Sequence, residues 1–222
     1  GIRVTYGDWS SDVCSSDLSA SGGTPANNTF LGYLSGYGVA SQNNVSVGAW
    51  SLYSSAGSTG IGNTAIGLQS MYSNTSGASN ATTGLNSLFS NTTGSYNSAF
   101  GHSALYSNTT ASDNTAVGYQ AMYSNTTGAP NSAFGSQALY STTTGSNNTA
   151  IGREALYSNS TGGTNTALGR AALYSNTTAS YNTAVGYQAG YYAAGSSNGS
   201  NSWLGYQAGY LVAVGGSNVG IG

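Results

Sequence analysis

From Asn63 onward the apolar residues return every 17 positions, with polar residues filling the intervals. Seven gapless units, opening at Asn63, Asn80, Asn97, Asn114, Asn131, Asn148 and Asn165, carry the pattern to Asn182. Degenerate units open at Asn28, Asn44, Asn201 and Asn218, which makes twelve units in all. With each unit numbered from its Asn, position 5 is always Gly, as in Gly67, Gly84, Gly101, Gly118, Gly135, Gly152, Gly169 and Gly186. Position 4 is mostly Val, Ile, Leu or Phe, and position 3 is mostly Ala. In the regular units position 8 is Ala or Ser, and position 9 is Leu or Met. Position 10 is aromatic: Tyr72, Phe89, Tyr106, Tyr123, Tyr140, Tyr157 and Tyr174.

A fixed period of this length marks a repeat architecture. The spacing of apolar positions does not follow the 3.6 period of a helix. N-T-A-V-G and A-L-Y-S instead read as two short strands per unit, bounded by Gly, Asn, Ser and Thr. Two such strands bury nothing alone, but each can pair in parallel with its copy in the next coil, ~4.8 Å away. The predicted fold is therefore all-β: a parallel β-solenoid, or β-roll, of about twelve 17-residue coils spanning residues 28–222. Its length would be roughly 55 Å at that spacing. Gly at position 5 suits a tight turn needing positive φ. The ladders at positions 4 and 9 are assigned to the interior. The small residues at positions 3 and 8 are assigned outside, where another surface could approach closely.

Composition removes whole classes of function. Gly, Ser, Thr and Asn fill 120 of 222 positions, yet 38% of the chain is hydrophobic and 18 residues are Tyr, so it is no flexible linker. Charged residues are 4% of the chain against about 25% in ordinary domains. There is no Lys, hence no basic surface for nucleic acid, and no apolar run approaches the ~20 residues of a membrane span.

The first eighteen residues do not fit the repeat and hold the only Cys, Cys14. DWSSDVCSSDL (8–18) resembles the translation of a sequencing-library adapter, so 1–18 is read as a non-native or disordered leader. Residues 19–27 are read as a lead-in segment. The chain closes within a unit, at Asn218 to Gly222, which reads as a solenoid truncated at its C-terminal end.

No catalytic, cofactor or metal site is expected. His102 is the only His, it occupies the variable position 6, and no Asp or Glu lies near it in sequence to orient it. Calcium-binding rolls need Asp in each repeat, and this one supplies Asn. N-x-[ST] occurs at Asn27, Asn44, Asn74, Asn80, Asn91, Asn108, Asn125, Asn147, Asn159, Asn176 and Asn198, and turn chemistry accounts for most of these. Tyr119, Tyr187 and Tyr206 at position 6 are candidate surface contacts, for instance with sugar faces.

The residues N-T-A-V-G-Y-Q-A at 114–121 and 182–189 resemble the head repeats of trimeric autotransporter adhesins, also met in phage tail-fibre-like proteins. The departure is a longer turn, carrying N-T-T-G. The resemblance implies a left-handed roll, a homotrimer, and an extracellular, cell-surface or virion location. The expected function is a non-enzymatic structural segment of a fibre or adhesin. The alternatives are a glycan-binding adhesin module, whose partner would be a host-surface glycan or protein, and an ice-binding solenoid using Thr109, Thr126 and Thr177.

Overall fold

The computed structural model describes residues 27–54, 57–192, 199–211 and 216–222. The leader at 1–18 and nearly all of the lead-in segment lie outside the described residues. The described residues form twelve short strands: β1 (Thr29–Leu31), β2 (Val45–Val47), β3 (Thr64–Ile66), β4 (Ala81–Thr83), β5 (Ser98–Phe100), β6 (Thr115–Val117), β7 (Asn131–Phe134), β8 (Asn148–Ile151), β9 (Thr166–Leu168), β10 (Thr183–Val185), β11 (Ser202–Leu204) and β12 (Val219–Ile221). All pair in parallel, in chain order, within one twelve-stranded sheet. The register repeats the sequence period: Thr115 faces Ser132, and Ala116 faces Ala133. This is a β-solenoid of about eleven turns, and no helix occurs among the described residues.

Each coil carries one strand rather than two. The A-L-Y-S stretch winds through left-handed backbone instead, with φ 53° at Leu105 and Leu139 and 51° at Met122. The residue two places earlier does the same, as at Gln120 (φ 53°) and Gln137 (φ 59°). The stretch still exchanges backbone hydrogen bonds with its neighbours. Asn86 N–H donates back to Leu68 O (3.0 Å), whereas Leu88 N–H donates forward to Ala104 O (2.9 Å). The ladder is thus satisfied without extended geometry. A trace of this was legible in the sequence. The regular units place Leu or Met at position 9, never Val or Ile. A true buried strand favours β-branched residues, and positive φ strongly disfavours them.

The assignment of faces is also corrected. Within each strand the middle residue points inward: Ala116, Ala133 and Ala150 are fully buried. The Val, Ile, Leu and Phe of position 4 point out, with Phe134 and Ile151 each 41% exposed. Position 8 is inside as well, as Ala121 and Ala138 show. Position 9 is interior as expected, with Leu139 and Met122 fully buried. A coil this short has room for one long aliphatic side chain and two small ones. The second large aliphatic residue of each unit is therefore displaced to the surface. Fully burying the Leu or Met contributes about 1.5–3 kcal/mol per coil.

The position-5 glycines turn the chain at the end of each strand. Gly135 has φ 138°, and a Cβ there would lie 2.6 Å from Gly152 O in the next coil. Both the dihedral and the contact exclude a side chain.

Candidate functional site

The rod presents repeating ladders rather than a cleft. Two Asn ladders run inside it. At position 1, Asn97 N–H and Nδ2 both donate to Asn80 Oδ1 (2.9 and 3.1 Å). At position 12, Asn108 Nδ2 donates to Asn91 Oδ1 (2.9 Å). In five of the seven regular coils the two ladders converge on one turn carbonyl. Gly94 O accepts from Asn80 Nδ2 (2.9 Å) and from Asn91 Nδ2 (2.9 Å), which uses both of its lone pairs. Such satisfied networks pin a unique register.

These ladders decide most of the glycosylation sequons. Asn44, Asn74, Asn80, Asn91, Asn108, Asn125, Asn159 and Asn176 are buried. Their amides are engaged within the rod, as the bonds above illustrate. Asn27 and Asn147 are exposed, and Asn198 lies outside the described residues.

The position-10 aromatics form one stacked file. Tyr140 and Tyr157 lie 5.1 Å apart with planes 5° from parallel, and Tyr157 and Tyr174 lie 5.0 Å apart at 3°. Stacking covers the ring faces and leaves edges and hydroxyls outward. Burial pushes the hydroxyls of Tyr140, Tyr174 and Tyr191 up from their ordinary value near 10, and neighbouring phenols add to the shift.

Position 6 does not form one aromatic patch. Tyr119 sits on His102 (5.4 Å) and is 50% exposed. Tyr187 has Tyr206 stacked 5.3 Å away, and the Arg170 guanidinium also lies over its ring at 5.7 Å. Between the two clusters position 6 carries Ser136, Arg153 and Arg170. Arg153 pairs with Glu154 at 2.9 Å on the surface, an interaction worth little. Two of the three turn threonines point their hydroxyls along the axis: Thr109 Oγ1 donates to Thr126 O (3.2 Å), and Thr126 Oγ1 to Thr143 O (3.0 Å), while Thr177 is exposed.

The apolar ladder at position 4 was missed as a surface. Leu31, Ile66, Phe100, Phe134, Ile151, Leu168 and Leu204 follow one another along the outer face of the sheet, each between 38% and 52% exposed. Thr and Ser of position 2 flank the row, as Thr115, Ser132 and Thr149 do in successive strands. At its C-terminal end the face dips into a shallow depression lined by Val185, Trp203, Leu204 and Ile221, among others. Among the described residues, no group of three His, Cys, Asp or Glu could hold a metal ion, and no helix is long and apolar enough to cross a membrane. Comparison with protein-family models, with curated proteins and with solved structures found no match.

Proposed function

We propose that this chain is a structural, non-enzymatic segment of an extracellular fibre or adhesin, a rigid shaft that associates with further copies of itself, as a homotrimer, through the outer face of its sheet. The observation that carries the reading is the apolar ladder at position 4, interrupted only at Thr83 in β4. It runs the length of a sheet roughly 50 Å long, at ~4.8 Å per strand. That gives a stripe on the order of 500 Å², at the upper end of the apolar patches found on monomers. A patch of that size is often functional, and its continuity along the rod suits a second rod lying alongside. The expectation that small residues would line the contact no longer holds, because they fill the interior.

The test is the association state of the full chain by sedimentation equilibrium across a wide concentration range. A trimer is expected, and a compact monomer at high concentration overturns the reading. The double variant Ile151→Lys/Leu168→Lys changes outward side chains only. It should keep the β-rich circular dichroism and shift the chain to monomer.

The glycan-binding alternative is narrowed to Tyr206, 67% exposed, and Tyr119. The file at position 10 has its faces covered, and sugars stack on faces. A glycan array with wild type and Tyr206→Ala separates an adhesin head from a passive shaft. Ice binding through the turn threonines is disfavoured, because the hydroxyls of Thr109 and Thr126 already donate to the next coil and are poorly placed to order water.

A further inference from the structure

The file at position 10 has a reactivity that its supporting role does not require. Eleven rings stand in line from Tyr37 to Tyr210, and ten of them are phenols. Neighbouring centroids are 4.9–5.3 Å apart. From Tyr53 onward the rings are half-buried, so small oxidants reach them while the stack holds them in register. The twofold torsion about Cβ–Cγ of Tyr is broad. A quarter-turn of two adjacent rings brings the carbons ortho to their oxygens toward one another across the coil spacing.

We propose that this ladder is a site of oxidative tyrosine–tyrosine coupling, in which phenols of successive coils join through a carbon–carbon bond and staple the rod along its axis. The co-reactant is a one-electron oxidant drawing on a peroxide. Each of two phenols loses one electron and its hydroxyl proton. The two radicals pair through ortho ring carbons, and the ring hydrogens there move to the oxygens, restoring both phenols. For each bond one hydrogen peroxide becomes two waters, or one persulfate becomes two sulfates with release of two protons. Phe89 carries no phenol, so coupling stops between Tyr72 and Tyr106. The staples would lock neighbouring coils against separation.

The sequence supplies a direct readout. Arg153 and Arg170 bracket residues 154–170, in which Tyr157 is the only tyrosine. The full chain, dilute and native, is oxidised with a photoactivated ruthenium complex and persulfate, then unfolded and cut with trypsin. The expected result is loss of free 154–170 peptide. It should reappear in chain-length monomers joined to the pieces bearing Tyr140 and Tyr174, with dityrosine fluorescence. Tyr157→Phe keeps the stacked ring, as Phe89 does, and should return the free peptide. The proposal is overturned if native oxidised chain releases 154–170 in full, if its loss depends on protein concentration, or if chain oxidised in denaturant loses it equally.

Discussion

The regular coils and the coil opening at Asn201 solve the same interior with different residues. In a regular coil Ala133 sits inside the strand and Leu139 fills the core from the opposite side. In the other, Trp203 replaces the Ala and Gly209 replaces the Leu. A Cβ on Gly209 would run into the indole, and one on Gly190 or Gly220, in the adjoining coils, would lie 2.7 Å from it. The first coil repeats the exchange, with Phe30 inside and its ring 2.5 Å from a Cβ built on Gly36. The interior volume is therefore shared between two facing positions and, for Trp203, with the preceding coil, where Gly190 accompanies Ala184. Close-packed interiors tolerate the exchange only when both change together.

Breaking that pairing should give the largest effect. Gly209→Leu overfills the Trp203 coil and should cost about 3 kcal/mol in denaturant unfolding, and Trp203→Ala alone should cost about 3–5 kcal/mol through the cavity it leaves. The double variant restores the regular pairing in its own coil, though not the space beside Gly190, and should recover about 2 kcal/mol or more of the summed losses. Strict additivity would show that the two positions do not share one volume.

Within a regular coil, Leu139→Ile keeps volume but places a β-branched residue at φ 53°. It should cost about 2–4 kcal/mol, from repacking and backbone strain together. Leu139→Met should cost less than about 1 kcal/mol, since Met122 holds the same position. Equal losses would mean that volume alone governs the site.

A smaller gain is available where the polar ladder lapses. Thr142 stands where the neighbouring units carry Asn, and Asn125 Oδ1 is left buried without a partner. Asn159 Nδ2 reaches the Thr142 hydroxyl only at 3.4 Å. Thr142→Asn should stabilise the chain by about 1 kcal/mol, read as a raised denaturation midpoint.

Alkali should reveal the aromatic file. The hydroxyls of Tyr140, Tyr174 and Tyr191 hold their protons more tightly in the folded chain, chiefly through burial. In that pH range the folded state binds more protons than the unfolded one, so stability is present below about pH 10 and falls as pH rises through the folded values. Denaturation midpoints should be flat on the neutral side and decline above that point. The decline should weaken in Tyr140→Phe.

Much of this was legible in the residues. The period, the turn glycines and the stacked file at position 10 follow from identical residues recurring at one interval, because parallel coils in register place like over like. The Asn sequons were legible as turn chemistry, but their burial was not. A buried Asn and an exposed one read alike until its hydrogen-bond partners are known. The A-L-Y-S stretch resembled a strand because its apolar content is that of a strand. Only its lack of β-branched residues hinted at left-handed backbone.

Sequence alone determined that this chain winds into parallel coils, since no other stacking satisfies every unit with the same contacts. Which face of each strand looks inward was decided by the tertiary structure. Ala and Ile alternate in either direction with equal ease along an isolated strand. Closing a 17-residue coil leaves too little space for two large aliphatic side chains, so Ala150 goes in and Ile151 goes out.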